Sequence, residues 1–224
     1  MLFMLQREHG GLLFVKRAVC VMVKTMRKGA ATRARIVEEA GRLASVRGLG
    51  AVSLNDLAEA VGLSKSGVFK HFEDKEALHL AVLEAAVQRF SALVWLPALK
   101  QPAGKDRMYY IFDRWLDWVE TEGGPGGCPF QQASIEFDDQ PGKVRDYLQS
   151  MHLSWGRHLA AEMSAISDPP LSQERAAQSV FDMKSYIMGF TQQRRLLDDA
   201  RGRAMARAAF EALLDRTARE PAAA

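Results

Sequence analysis

Residues 62–75, GLSKSGVFKHFEDK, combine serine, lysine and glycine in a way that suits binding better than packing. Lys65 and Lys70 can donate hydrogen bonds to phosphate oxygens or to guanine edges. Ser64, at the start of a short predicted helix, can bind a phosphate oxygen together with the free backbone N–H groups there. Gly67 costs that helix roughly 1 kcal/mol relative to alanine, yet it lets the backbone come close to a bound surface. These residues favour contact with a nucleic acid, the alternative being an ordinary solvated helix.

The elements around this segment have the pattern of a helix-turn-helix. Ser53 is placed to cap one short helix, with Asp56 three residues later in the capping-box position. A positive φ is expected at Gly62, which forms the turn to the next helix. Ser64 caps that second helix, which is predicted to end near residues 71–72. In such a motif the second helix enters the major groove of DNA.

The rest of the chain is predicted to be helical as well, with no strand, hairpin or internal repeat. Apolar residues recur at helical spacing, Asp74 and Ser172 are predicted N-caps, and the glycine-rich stretch at residues 123–127 breaks the pattern. The helices after residue 74 are expected at about residues 75–97, 105–121, 129–137, 143–166, 173–197 and 203–216. We therefore predict an all-α fold, with a three-helix helix-turn-helix domain at residues 30–76 and a larger helical domain at residues 77–218.

The two ends of the chain are predicted to lie outside these domains. Residues 219–224 read as an alanine-rich tail. Residues 1–29 read as an extension that is either disordered or translated from an upstream start, with Met22 or Met26 as alternative beginnings. A basic arm that follows the DNA backbone is the other interpretation of this extension.

The composition limits the class of protein. The chain of 224 residues is 48% hydrophobic and 25% charged, which is typical of a globular protein. Residues 1–80 hold 13 lysines and arginines against 8 acidic residues, whereas the remaining residues hold 17 against 19. This asymmetry favours a polyanionic partner for the N-terminal part. Cys20 and Cys128 are too few for a disulfide framework, which favours the cytoplasm, and no apolar run approaches the ~18–20 residues of a membrane span.

The helix-turn-helix segment also resembles a known family. Residues 33–83, above all LNDLAEAVGLSKSGVFKHFEDKEAL, resemble the DNA-binding domain of tetracycline-repressor (TetR) family regulators. The stretch GCPFQQASIEFDDQPGKVRDYL resembles a common version of that family's second domain, so the resemblance spans about residues 31–218. It implies a helical ligand-binding and dimerisation domain after the DNA-binding domain.

The resemblance also implies which residues contact double-stranded DNA. Lys75 matches a phosphate-binding lysine, and Phe69 stands where the family commonly has tyrosine, so a hydroxyl contact to phosphate is missing there. With Ser64 added from the reasoning above, the predicted DNA-binding residues are Ser53, Asn55, Ser64, Lys65, Ser66, Gly67, Lys70, His71 and Lys75.

For the larger domain, the resemblance implies a small apolar or amphipathic ligand. Aromatic and sulfur-bearing residues on the middle helices are candidates for its pocket, although such residues also form ordinary cores. The predicted pocket residues are Phe112, Trp115, Phe137, Met151, Trp155 and Phe181. Cys128 could be an oxidant-sensing thiol or a buried inert one.

A homodimer is expected, because a regulator that reads a palindromic operator needs a two-fold axis. Small and apolar residues on the last two helices could pair with a second copy in a four-helix bundle, or could pack only within the chain. The predicted interface residues are Val180, Ile187, Met205, Ala209, Ala212 and Leu213.

Taken together, these features predict a DNA-binding repressor that a ligand releases from its operator. An architectural DNA-binding protein without ligand sensing is the first alternative, and a small helical enzyme is the second. No catalytic constellation, metal-ligand spacing or cofactor fingerprint is recognisable, so we predict no enzyme activity, metal or cofactor.

Overall fold

The computed structural model describes residues 28–219, so the predictions for the extension before residue 28, including Cys20, and for residues 220–224 lie outside the described residues. Labelled in chain order, α1 to α9 are Lys28–Arg47, Leu54–Val61, Lys65–Phe69, Lys75–Phe90, Lys105–Asp117, Pro129–Glu136, Lys143–Ser164, Gln173–Arg195 and Gly202–Arg219. Helix α4 continues through a π-helical stretch, Ser91–Trp95, into Leu96–Ala98, and α5 continues into the π-helical stretch Trp118–Glu122. The all-α prediction is confirmed for the described residues.

The predicted helix starts are confirmed by their caps. Ser53 and Asp56 form a reciprocal capping box at α2. The side chains of Ser64, Asp74 and Ser172 each accept a hydrogen bond from a backbone N–H in the first turn of α3, α4 and α8. Short polar side chains in the sequence therefore determine where these helices begin.

Helix α3 is shorter than the sequence predicted, since it ends at Phe69 and not at residues 71–72. Beyond it the backbone tightens, because His71 donates its N–H to the carbonyl of Val68, three residues earlier, at 3.0 Å. This turn carries Phe72 into the protein, where its side chain is 5% exposed. Burial of Phe72 is favoured over another turn of regular helix.

Two groups of buried side chains hold the fold together. The N-terminal core consists of buried apolar residues of α1 to α4 and of the turns between them, together with Ala133 of α6, Phe137 directly after α6, and Val144 and Leu148 of α7. The body core lies between the end of α4, α5, α7, α8 and α9. The first turns of α7 and much of α6 thus pack against the helix-turn-helix, although the predicted boundary after residue 76 assigned them to the other domain. The boundary itself stays a prediction.

The continuous helix Lys75–Ala98 is the one stretch of residues 28–219 that is long and apolar enough, by length and composition alone, to cross a membrane. The sequence prediction had found no such run. Val82 and Leu83 of this helix are buried in the N-terminal core, and Val94 is buried in the body core. The helix is long and apolar because it contributes to both cores.

Candidate DNA-binding interface

The turn between α2 and α3 has the geometry that its glycine predicts. Gly62 adopts φ 67° and ψ 35°, the left-handed conformation, and ends α2. Leu63 then donates its N–H to the carbonyl of Ala58 at 2.9 Å. Leu57 and Val68, one from each helix, are fully buried. The two helices are therefore fixed relative to each other, and the rest of α3 is left for other contacts.

The outward face of α3 consists of small and basic residues. Lys65, Ser66 and Lys70 are exposed, and Gly67 is half-buried. A Cβ on Gly67 would lie 3.3 Å from the hydroxyl oxygen of Ser64, and would meet no atom on the outer side. Neither a positive φ nor contact with a neighbouring helix requires a glycine at position 67. This is consistent with a role in letting a binding partner come close to the backbone of α3.

Three of the predicted contact residues have side chains that are available to a partner: Lys65, Lys70 and Asn55. All three are exposed, and none makes a side-chain hydrogen bond or ion pair within residues 28–219. A long basic side chain without a partner is available to bind a phosphate or a base edge. Lys70, directly after the last turn of α3, extends this basic face by one residue.

Four other predicted contact residues already have partners within the protein, and one of them, Ser66, shares a hydroxyl–hydroxyl hydrogen bond of 3.0 Å with Ser64. The hydroxyl of Ser53 donates to Asp56 at 2.8 Å and accepts from its N–H. The hydroxyl of Ser64 accepts from the N–H of Gly67 at 3.1 Å. Lys75 donates to the carbonyl of Gly50 at 2.6 Å. A phosphate contact by any of them would share or replace these bonds.

Phe69 and His71 complete the predicted surface. Phe69 is 44% exposed, so it does not simply pack into the core in place of a tyrosine. His71 is half-buried at the turn after α3. An exposed phenyl ring in this position can make an apolar contact with a partner but cannot donate a hydrogen bond to phosphate.

The turn that follows α1 is held by a carboxylate from α6. Leu49 and Gly50 donate their backbone N–H groups to the two carboxylate oxygens of Glu136, each at an N···O distance of 2.7 Å. Successive N–H groups form an anion-binding concavity, and the charged acceptor strengthens both bonds. A Cβ on Gly50 would overlap the Glu136 carboxylate, which explains the glycine. We call this arrangement the Glu136 clamp.

A second contact joins α1 to the glycine loop at residues 123–127. Gln132 donates its side-chain amide to the carbonyl of Ser45 at 2.9 Å and to that of Gly126 at 2.7 Å. The N–H of Gly126 donates to the hydroxyl of Ser45 at 3.1 Å. With the Glu136 clamp, this contact attaches the helix-turn-helix to α6. The sequence did not identify Gln132 or Glu136, because the nearby glycines were the only local sign that two segments of the backbone come close together.

His79 on α4 lies against the same region, with its side chain 6% exposed and its ring edge-on to Phe137 at a centroid distance of 5.8 Å. Burial lowers the pKa of His79, the nearby charge of Lys75 lowers it further, and Glu136 and Glu76 oppose the shift. Its Nε2 has no hydrogen-bond partner within residues 28–219. The buried imidazole is therefore held neutral.

We expect His79 to make folding sensitive to mild acid. Below its unfolded-state pKa of about 6.5 the unfolded chain binds a proton that the folded protein does not, so stability falls as pH falls. The loss is at most about 1.4 kcal/mol per pH unit. Urea unfolding at pH 7 and pH 5 measures it, and His79→Leu is expected to remove this part of the pH dependence. An unchanged pH dependence in the variant would contradict the assignment.

Comparison with protein families matches residues 36–82 to "Bacterial regulatory proteins, tetR family" and residues 104–210 to "Tetracyclin repressor-like, C-terminal domain". The two matches together cover well over half of the chain. The chain belongs to the TetR family. It is therefore a transcriptional regulator that binds DNA through its helix-turn-helix, which confirms the resemblance seen in the sequence.

Solved structures of TetR-family proteins have the same fold. A TetR-family regulator from Cytophaga hutchinsonii is 25% identical, with a TM-score of 0.70 over 87% of this chain and 96% of that one. A regulator from Chloroflexus aurantiacus is 25% identical, with a TM-score of 0.68 over 85% and 96%. AibR, solved in complex with isovaleryl coenzyme A and operator DNA, is 17% identical, with a TM-score of 0.61 over 83% and 97%. A search of curated proteins gave no match.

The six residues predicted to line a ligand pocket in this TetR-family protein do not meet in one place. Phe137 belongs to the N-terminal core, and Phe181 is 66% exposed on α8. Tertiary packing places Phe137 against the helix-turn-helix and Phe181 toward solvent, and a role of either residue in ligand binding stays a prediction. Phe112 is 1% exposed and stacks on Phe210 at a centroid distance of 4.1 Å, as a core residue does.

Trp115 and Trp155 do come together in the body. Their ring centroids are 6.0 Å apart, and both rings lie edge-on to Phe90 at 5.4 Å and 5.3 Å. Met151, one turn before Trp155 on α7, is half-buried. For these three residues a role in ligand binding stays a prediction.

The residues predicted for the dimer interface also differ in how much of each side chain is exposed. Val180, Ile187 and Leu213 are 5%, 2% and 3% exposed within a single chain. Their burial favours the alternative of packing within the chain, and their part in a dimer interface stays a prediction. Met205, at 50% exposed, and the exposed Ala212 stay candidates, as does the half-buried Ala209.

Cys128 lies at the start of α6, where the sequence allowed either a reactive or an inert thiol. Burial raises the pKa of Cys128, and hydrogen bonds from nearby groups offset this only in part. A thiol with a raised pKa is less often the nucleophilic thiolate. The raised pKa favours the inert interpretation, whereas the residue is only half-buried, so both interpretations stay predictions.

Proposed function

We propose that this TetR-family regulator is a cytoplasmic homodimer that represses transcription from a palindromic operator and is released by a small ligand bound in the helical body. The observation that supports it best is the outward face of α3, where Lys65 and Lys70 are exposed on either side of Gly67 and form no ion pair with any residue of 28–219. Membership of a family of transcription factors favours this function over the enzyme alternative.

The ligand and dimer parts of the proposal have separate support. AibR, which shares the fold, was solved with both an acyl-coenzyme A and operator DNA. Phe181 and Met205, on the last two helices, expose 66% and 50% of their side chains. Single exposed apolar side chains are common on protein surfaces, so the main argument for the dimer is that a palindromic operator requires a second copy of the chain.

Two lysine substitutions test the DNA-binding part. Lys70→Ala is expected to weaken binding to the operator by about 1–3 kcal/mol and to relax base preference, because a base-edge contact is lost. Lys75→Ala is expected to weaken operator and random DNA alike, and to lower the slope of log affinity against log salt by about one, because a phosphate contact is lost. Fluorescence anisotropy on an operator selected from random DNA measures both.

Lys100→Ala is the matched control, since this exposed lysine lies beyond α4, outside the helix-turn-helix. It should bind both DNAs like the unmodified protein. If Lys70→Ala weakens the affinity for operator and random DNA equally, Lys70 does not contact a base edge. A complex with one chain per operator, measured by sedimentation, would remove the dimer from the proposal.

A further inference from the structure

An open groove of about 420 Å³ runs between α6 and α8. Ile135 of α6 and Met188 of α8 lie along its walls, with Gly189 widening it. Ile135 and Met188 are 62% and 45% exposed, so the fold leaves these apolar side chains without a full set of neighbours. The volume is in the range of small-molecule sites, and the walls suit a flexible hydrocarbon chain.

The charge in this groove has one sign. Among the described residues that line it, Arg195 is the charged one, and none is an aspartate or glutamate. The guanidinium donates to the carbonyl of Pro125 at 3.1 Å and lies over Gly127, where a Cβ would be 3.1 Å from Nε. These contacts fix the side chain at the end of the groove. They leave other N–H donors of the guanidinium free.

Arg195 also lacks a carboxylate partner within residues 28–219, in contrast to its neighbour. Arg194 pairs with Asp198 at 2.6 Å, so its charge is compensated. Further along the same helix, Lys184 lies one turn before Met188 and makes no ion pair within the described part of the chain either. Burial without a counter-ion lowers the pKa of Lys184. Lys184 is not among the residues that line the groove, so Arg195 is the positive charge that the described residues supply there.

We propose that the groove between α6 and α8 binds an amphipathic carboxylate, with its hydrocarbon chain between Ile135 and Met188 and its carboxylate on Arg195. A planar guanidinium and a carboxylate match in a bidentate pair. This inference rests on the proposed function, since it names the chemical class of the effector.

The position of the groove gives the ligand a route to the DNA-binding part. Gln132 lines the groove and also donates to the carbonyl of Ser45 at the end of α1. Glu136, one turn later on the same helix, forms the clamp on Leu49 and Gly50. A ligand that shifts α6 therefore acts on both contacts that attach the helix-turn-helix.

Isothermal titration of the full chain with octanoate, 1-octanol and octylammonium tests this site in the absence of DNA. Octanoate is expected to bind at least about tenfold more tightly than octanol, and octylammonium more weakly still, because only the carboxylate pairs with the guanidinium. Arg195→Gln should lose about tenfold or more in octanoate affinity. Arg194→Gln, the adjacent and already paired arginine, should keep the original affinity.

Equal binding of octanoate and octanol, or an Arg195→Gln variant that binds octanoate normally, would overturn the proposal. So would the absence of octanoate binding together with dissociation of the dimer by Met188→Glu, because the groove would then be an interface between copies. Operator binding of the ligand-free protein is measured separately, so a failure of the effector site is distinguishable from a failure of the proposed regulator.

Discussion

Gly126→Ala is expected to lower the free energy of unfolding by about 3 kcal/mol or more. A Cβ at this position would overlap the backbone carbonyl of Ser45, and the two segments cannot both stay in place. Moving the loop apart from α1 breaks the hydrogen bonds among Ser45, Gly126 and Gln132, each of which contributes about 0.5–1.5 kcal/mol. Overpacking of a tight contact adds about 1–3 kcal/mol. Urea unfolding at fixed protein concentration measures the loss.

Gly41→Ala is the matched control for this experiment. Gly41 lies in α1, the helix that the Gly126 loop contacts, and a Cβ there would meet Val82 at 3.8 Å, an ordinary van der Waals distance. Alanine is the better helix former by roughly 0.5–1 kcal/mol, so this variant should be slightly more stable than the unmodified protein. If Gly126→Ala unfolds at the same urea concentration as the unmodified protein, the close approach of loop and helix is not part of the native fold.

Glu136→Gln is expected to destabilise the protein by about 2 kcal/mol, the second largest effect. The amide has the shape of the carboxylate, but only its oxygen can accept, so one of the N–H groups of Leu49 and Gly50 faces another donor. Leaving a donor unsatisfied costs about 1–3 kcal/mol, and the remaining bond loses its charge assistance. Hydrogen exchange at the amides of Leu49 and Gly50 should speed up together with the loss of stability.

Asp139→Asn removes the same charge three residues later from an exposed side chain that makes no hydrogen bond or ion pair within residues 28–219. It is expected to change stability by no more than about 0.5 kcal/mol. If Asp139→Asn and Glu136→Gln have equal effects, general electrostatics and not the clamp explains the result. If exchange at Leu49 and Gly50 is unchanged in Glu136→Gln, the clamp does not hold this turn in solution.

The Glu136 clamp also bears on DNA binding. Gly50 donates its N–H to the carboxylate of Glu136, and its carbonyl accepts a hydrogen bond from Lys75, the predicted phosphate contact. A phosphate that draws Lys75 away removes one of the bonds on this short turn, while the carboxylate keeps the other. Lys75, the lysine predicted to contact phosphate, and Glu136 of α6 are therefore both hydrogen-bonded to Gly50, which links the two parts of the proposed mechanism.

The sequence was informative about the DNA-binding surface because its signals are local. Capping serines, a glycine that needs positive φ and a basic face on a short helix each depend on a few neighbouring residues, and Ser53, Gly62 and Ser64 behave as predicted. The end of α3 was misjudged since burial of Phe72, a tertiary effect, decides it. The roles of individual lysines stay predictions.

Local sequence patterns were less informative about the helical body. Helical periodicity identified apolar residues but not the surface that each one faces, so Phe181 was assigned to a pocket and Val180 to an interface. Adjacent residues on one helix differ by 100° in direction, and only the packing of α8 against its neighbours shows which side is covered.

The sequence by itself determined the family, the all-α fold and the helix starts, because these follow from short-range chemistry and periodicity, and it predicted the basic helix for contact with DNA. Only the tertiary structure brought Glu136 to the turn after α1, Gln132 to Ser45, and Arg195 to the end of an apolar groove. Glu136 and Gln132 are more than 80 residues from their partners along the chain. No local pattern encodes a contact of that separation, since it depends on how every intervening helix packs.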